Sequence, residues 1–185
     1  MNYHDELLMD FSDPAFQAAF RACFAEMGCR VTNWDGLFAG MNEVGRDYTW
    51  MRRGAGGHVT TFLAGMDVEE RDAAWVRRDE NGRVAGFIQF TPMHMSGWFF
   101  TAKCGFIREF WIAPEMRRQG HGSSLLKMAE AWLQGQGCQF ALLTTDTAPD
   151  FYRRHGYTLQ KGIEARNRAD VFCKQLGRGE TDELC

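Results

Sequence analysis

Arg117, Gly120 and Gly122 stand in the spacing R-x-x-G-x-G, inside the run Ile107-Arg-Glu-Phe-Trp-Ile-Ala-Pro-Glu-Met-Arg-Arg-Gln-Gly-His-Gly122. The residues before them read as a strand and those after as a helix, so the glycines fall at a strand-to-helix turn. Glycine allows a ligand to approach the backbone closely. The unpaired N–H groups of a helix's first turn point outward, and the helix dipole favours negative charge there. The chemistry this suits is the binding of a phosphate or pyrophosphate. It is not the dinucleotide fingerprint, which would need glycine where Leu125 stands. Nor is it a Walker loop, because no Gly-Lys-Ser/Thr follows.

The elements that must position this turn are legible in part. A short first strand is expected over Glu6–Phe11. Asp13-Pro14 reads as a helix start, since Asp caps and Pro fits the first helical position. Phe16, Phe20, Cys23, Phe24 and Met27 then recur at helical spacing up to Gly28. A second helix is expected from Asp35 to Val44. The stretch 45–70 has no readable period, and Arg52-Arg53-Gly54-Ala55-Gly56-Gly57 reads as a flexible loop. Strands are expected at Ala73–Arg78 and Val84–Phe90, joined by a type I′ hairpin turn at Asn81-Gly82. Pro92–Phe106 reads as an aromatic loop carrying Trp98, Phe99 and Phe100. The strand Ile107–Ile112 ends before Pro114, because proline cannot donate to a ladder. The helix after Gly120 carries Leu125, Met128, Ala129 and Trp132 on one face and stops near Gly135 or Gly137. Phe140–Thr144 reads as a strand buried on both sides. A short helix over Asp146–Arg154 and two strands, Tyr157–Leu159 and Val171–Leu176, complete the pattern. The expected organisation is one domain over 1–185. Within it, 1–72 forms a variable part, 73–176 a core, and 177–185 a frayed tail.

Composition sets the class. The chain has 185 residues, with 45% hydrophobic and 24% charged, close to the soluble globular average. No apolar run approaches a membrane span. The formal charge of −3 speaks against a general nucleic-acid binder, whose footprint is basic. The six cysteines form no C-x-x-C pair, and the five histidines are scattered, so no metal site is expected. Residues 1–10 carry acids and no signal-peptide pattern, so the thiols are expected to be reduced in a cytoplasmic protein.

The segment from Ile107 to Gly122 resembles the cofactor-binding motif of the GNAT superfamily of N-acetyltransferases. The downstream Phe151-Tyr152-Arg-Arg-His-Gly156-Tyr157 resembles the same family's F/L-Y-x-x-x-G-F/Y motif. The two occur in the family's order and at a typical distance. The resemblance runs from about Gly82 to Leu176 and fades before that. Many members carry Asn three residues before the Ala of the second motif (Ala148 here); this chain has Thr145.

The resemblance implies an α/β fold: a mixed, mainly antiparallel sheet with helices on both faces. It implies acetyl-CoA as co-substrate, no metal, and direct attack of a primary amine on the thioester. Backbone around Ile112 would bind the pantetheine and thioester carbonyl. Arg117, Arg118, Gln119, Gly120, His121, Gly122 and Ser123 would hold the pyrophosphate through backbone N–H groups and the charge of the two arginines. Tyr152 would be the acid toward the thiolate and Glu109 the base, directly or through a water. Each has a plainer rival. Tyr152 is otherwise a core tyrosine, Glu109 a structural carboxylate pairing Arg108 or another cation, and Trp98–Phe100 a plug rather than an acceptor-pocket wall. Arg117-Arg118 with Arg153-Arg154 reads as a landing strip for phosphates or as solvated arginines. The acceptor is a small-molecule or peptide amine, with no nucleic-acid or membrane partner and a homodimer as an open state. Two other functions stand beside this one: a CoA-binding sensor or interaction domain without turnover, and an acyltransferase for longer acyl-CoA.

Overall fold

The computed structural model describes residues 2–43, 48–53, 59–65, 71–96, 101–161, 163–165 and 167–177. In chain order the elements are β1 (Tyr3–Leu8), α1 (Pro14–Glu26), α2 (Trp34–Met41), β2 (Tyr48–Arg53), β3 (Val59–Gly65), β4 (Ala73–Asp79) and β5 (Val84–Ser96). There follow β6 (Thr101–Ile112), α3 (His121–Gly135), β7 (Phe140–Thr145), α4 (Pro149–Arg154), β8 (Thr158–Leu159) and β9 (Asp170–Gln175). They fall into two compact units. The first is Met1–Val44, Arg71–Thr91 and Ile107–Ala129; the second is Gly45–Glu70, Pro92–Phe106 and Glu130–Cys185.

In the first unit β1 pairs antiparallel with β4, and β4 with the start of β5. Helix α1 begins as expected. The Asp13 carboxylate accepts from Ala15 N at 2.7 Å and Phe16 N at 3.1 Å, which satisfies two of the donors a helix start leaves open. Its buried face is Phe16, Ala19, Phe20 and Cys23. Phe20 stacks on Phe87 of β5 with ring centroids 5.6 Å apart, so the helix covers the sheet with aromatic surface. Arg78, only 7% exposed, bonds Glu6 of β1 at 2.6 Å and also pairs Asp13, joining two elements to β4.

Three expectations for this unit are corrected. The first strand lies at Tyr3–Leu8 rather than Glu6–Phe11, because Asp5 and Glu6 meet Arg77 and Arg78 across the sheet. Helix α2 starts at Trp34 under an Asn33 cap and stops at Met41, short of Val44. At the β4–β5 hairpin, Gly82 has φ +79° but Asn81 does not enter the left-handed region. Gly82 N donates to Asp79 O at 3.0 Å, so the connection is a three-residue turn closed by a left-handed glycine and not type I′.

In the second unit β2 and β3 form an antiparallel hairpin, and β3 pairs the end of β5 from Leu63↔Ser96 to Gly65↔His94. Arg52 and Arg53, expected in a loop, thus belong to β2, while residues 54–57 lie outside the described residues. The loop expected over Pro92–Phe106 is replaced by the long strands β5 and β6. Pro92 is tolerated because it falls between Phe90, the last residue paired with β4, and His94, the first paired with β3. Trp98–Phe100 and the tail 178–185 lie outside the described residues. Strand β6 runs parallel to β7 from Cys104↔Phe140 to Phe106↔Leu142, with α3 as the crossover that a parallel pair requires. β7 pairs β9, and β9 pairs β8, both antiparallel. Burial alternates along β7, with Ala141 and Leu143 enclosed and Leu142 half-buried, so it is not the doubly buried strand its apolar run suggests.

Gly105 is where β6 meets α3 within this unit. A Cβ there would lie 2.6 Å from Leu133 Cδ2 and 2.9 Å from its Cγ, and Leu133 is fully buried. Gly105→Ala should therefore destabilise the protein by about 1–3 kcal/mol through overpacking. An unchanged denaturation midpoint would show that Leu133 can move aside.

Candidate functional site

Strand β6 delivers the chain to the glycine turn. Ala113 N donates to Ala85 O at 2.9 Å, and a single 3₁₀ turn, Pro114–Met116, follows. Arg118 then adopts φ +64° and Gly120 φ +87°. For Gly120 the surrounding space is open, so the glycine is required by its backbone angle rather than by crowding. Arg118 bears the strain of a left-handed non-glycine residue, roughly 1–2 kcal/mol. The first helical bond of α3 from outside its span is Ser124 N to Gly120 O at 3.0 Å. Among the described residues, no acceptor receives the backbone N–H groups of Arg118 through Ser123. Six consecutive open donors, exposed at Arg118–Gly120 and half-buried at His121–Ser123, stand at the positive end of a 15-residue helix, an arrangement able to receive an anion. This donor set fits a pyrophosphate and would not fit a cation.

The side chains around the turn divide into structural and open ones. Arg117 Nε donates to Ile112 O at 2.9 Å, and its Nη2 pairs Glu26 of α1. The other Glu26 oxygen accepts from Trp111 Nε1 at 2.8 Å. The Arg117 guanidinium holds the Glu26 carboxyl below the usual carboxylate range. Arg117 thus fastens the turn to α1 and β6, and takes up the Ile112 carbonyl. Gln119 Nε2 donates to Glu115 O at 2.9 Å. Arg118 has no hydrogen bond or ion pair among the described residues and is exposed, so its charge is open to a ligand.

Glu109 lies on β6 in the same unit, half-buried. The rival reading paired it with Arg108. Instead Arg108 Nη1 bonds Asp72 Oδ2 at 2.9 Å. Asp72, 6% exposed, also accepts from Gln89 Nε2 at 2.8 Å and from Thr91 Oγ1. No hydrogen bond or ion pair reaches Glu109 among the described residues. Burial pushes its carboxyl above the usual range, opposed by the Arg108 charge. Cys23 of α1 lies within its field: burial first, then the Glu109 and Glu26 charges, push that thiol up to about 12. A carboxylate that is desolvated and unpaired holds a proton more readily than an ordinary one, which suits it to act as a base.

Tyr152 belongs to the second unit. It sits in α4, 7% exposed, with its ring edge-on to Tyr157 at 5.6 Å and to Phe151 at 5.1 Å. Gly156, φ +86°, closes the helix, and Tyr157 N returns to Tyr152 O at 3.1 Å. Helix α4 starts at Pro149 rather than Asp146, and Thr145 Oγ1 accepts from Ala148 N just before it. Arg153 pairs Asp150 at 2.9 Å and lies over the Phe172 ring, so it is engaged within α4's own surroundings. His155 Nδ1 donates to Phe151 O at 2.8 Å. Ile112, Glu109 and the turn from Arg117 to Ser123 therefore share one unit, and Tyr152 stands in the other.

Sequence reasoning missed Glu26, Asp72, Gln89 and Thr91, which hold Arg117 and Arg108 in place. Glu26 ends α1, Asp72 directly precedes β4, and Gln89 and Thr91 alternate on β5; the groups they bond lie far off in the chain, so no local signal marks them. Among the described residues there is no cluster of metal-ligating side chains and no helix long and apolar enough to cross a membrane. Cys23, Cys29, Cys104, Cys138 and Cys173 are free thiols.

The sequence profile of the acetyltransferase (GNAT) family matches residues 46–157. An aminoglycoside N(6′)-acetyltransferase type 1 from Klebsiella aerogenes is 33% identical over 63 residues, which is 32% of this chain and 41% of that protein. The match thus spans about two fifths of that relative's length. A GNAT-family acetyltransferase of Staphylococcus aureus Mu50 superposes with a TM-score of 0.59 at 9% identity, over 94% of this chain and 100% of that one. A chain of the NatC complex, solved with Gag peptide and CoA, superposes with a TM-score of 0.59 at 13% identity, over 94% and 96%. At these identities the two structures share the fold.

Proposed function

Because this chain belongs to the acetyltransferase (GNAT) family, we propose that it moves an acetyl group from acetyl-CoA to the primary amine of a small molecule. The observation that carries the cofactor half is the row of open N–H donors from Arg118 to Ser123, which supports a diphosphate as the group they receive. The acceptor half is supported by the likeness to an aminoglycoside acetyltransferase over 63 residues.

Bound acetyl-CoA would supply the thioester and its leaving thiolate. The backbone of Arg118, Gln119, Gly120, His121, Gly122 and Ser123 holds the pyrophosphate, with the Arg118 charge beside it. Arg117 keeps that backbone in shape through Ile112 and Glu26. Backbone groups around Ile112, other than the carbonyl bonded to Arg117, line the pantetheine arm. Glu109 takes a proton from the acceptor's ammonium, directly or through a water, so that the amine lone pair is free to attack. Tyr152 gives its phenolic proton to the departing sulfur.

Two measurements test this reading. CoA should raise the thermal midpoint, by ~2.7 kcal/mol of stabilisation at a hundredfold excess over Kd. Acetyl-CoA should release free thiol when offered a panel of aminoglycosides, small amines, amino acids and peptides. No midpoint shift with millimolar CoA would overturn the reading. A shift without amine-dependent thiol release would favour a CoA-binding domain without turnover. Faster release from succinyl- or longer acyl-CoA would reassign the donor.

Tyr152→Phe keeps the ring and its contacts with Phe151 and Tyr157 and deletes one oxygen. Turnover should fall on the order of 10–10³-fold with acetyl-CoA affinity unchanged, as for a contact made chiefly in the transition state. Wild-type turnover in this variant would make Tyr152 a packing residue.

A further inference from the structure

We infer, on the reading that the first turn of α3 binds a diphosphate, that Arg77 is a positioning residue of that site. From β4 it holds His121 as the neutral tautomer with an accepting Nδ1, and so keeps a titrating charge out of the turn.

The geometry is specific. Arg77 faces Asp5 across the β1–β4 pair and bonds it twice, Nε to Oδ1 at 2.7 Å and Nη2 to Oδ2 at 2.6 Å. The same Nη2 donates to Ser124 Oγ at 3.0 Å, and Nη1 lies 3.0 Å from His121 Nδ1. Both bonds on the α3 side fall in its first turn. A guanidinium has donors only and does not lose its proton in proteins. His121 Nδ1 must therefore be the acceptor, and the ring proton resides on Nε2. Protonating Nδ1 would set N–H against N–H and two cations 3.0 Å apart.

The remaining groups facing the ring do not reverse this. Asp5 would favour an imidazolium, but both its oxygens are bound by Arg77. Tyr3 of β1 presents its ring edge-on at 5.0 Å. Ser124 is bonded to Arg77. The Arg77 side chain is 11% exposed, so water screens little of the repulsion. Burial and the Arg77 charge both push the His121 pKa down. The anion attraction of the turn then comes from its backbone N–H groups and the Arg118 side chain rather than from His121.

The experiment reads His121 directly, by imidazole ¹⁵N shifts in the unliganded protein. Wild type should show the Nε2–H tautomer and no titration near the ordinary histidine value of about 6.5. In Arg77→Met the titration should return to that range or above. Asp5→Asn with Arg77→Met removes the carboxylate left behind and should still restore titration near about 6.5. This second variant also serves if the single one does not fold. Dephospho-CoA, which has a diphosphate and no titrating phosphate monoester, is the binding probe. Its affinity should be flat with pH for wild type and roughly three- to tenfold tighter at pH 5 than at pH 8 for Arg77→Met. Ordinary titration of His121 in wild type, or titration unchanged by the variants, would overturn the positioning role alone. A neutral Nε2–H tautomer with no dephospho-CoA binding would overturn the positioning role and the functional reading together.

Discussion

Glu109→Gln should lower turnover by about 10²–10⁴-fold and flatten the acidic limb of the pH–rate profile, with acetyl-CoA affinity unchanged. The base works only when deprotonated, so the wild-type rate rises with pH as Glu109 loses its proton. Burial places that limb above the range of an ordinary carboxylate. The same shift has a consequence for stability. A carboxyl whose folded pKa is raised binds its proton more tightly in the folded state. Its favourable contribution is complete below the unfolded value, about 4.3, and is lost as pH rises through the folded one. At neutral pH the glutamine variant should therefore be no less stable than wild type. A chemical or thermal melt checks this, and separates loss of the base from loss of the fold. An unaltered pH profile would pass the role to water or another group.

Gly122→Asp should abolish the CoA-induced rise in thermal midpoint. The new carboxylate would stand in the first turn of α3, among the donors that run from Arg118 to Ser123. There it competes with a phosphate for the same N–H groups and repels it by like charge. An acidic side chain in a first turn is itself favourable to the helix. The unliganded midpoint should thus hold, and the loss is attributable to the site. A CoA shift equal to that of wild type would mean that the ligand does not sit at this turn.

Much of the local structure was legible in the residues themselves. Asp13-Pro14 and the Phe16–Phe20–Cys23 spacing specify α1, because capping and helical period act over a few residues. Arg117-x-x-Gly120-x-Gly122 between an apolar strand and an amphipathic helix specifies the strand-to-helix turn for the same reason. Less was legible where partners are distant. The strand at Tyr3–Leu8 depends on Arg77 and Arg78, seventy-two residues away from Asp5 and Glu6. The extension of β5 through Pro92 depends on how β3 and β4 share its length.

The sequence by itself determined the fold class and the family, and placed the turn, the helix behind it and the strand bearing Glu109 in order. Those properties are carried by short-range patterns of apolar period, caps and glycine. Only the tertiary structure decided which charges are spent. Arg117, read as a phosphate ligand, is committed to Glu26 and Ile112, while Arg118 remains open. Arg108, adjacent to Glu109, is drawn to Asp72, which leaves Glu109 desolvated and without a partner among the described residues. Arg77, unremarkable in the chain, reaches the first turn of α3. An ion pair forms between groups that folding brings within a few ångströms, and its strength depends on the water that folding removes. Neither quantity is written in the spacing of residues along the chain.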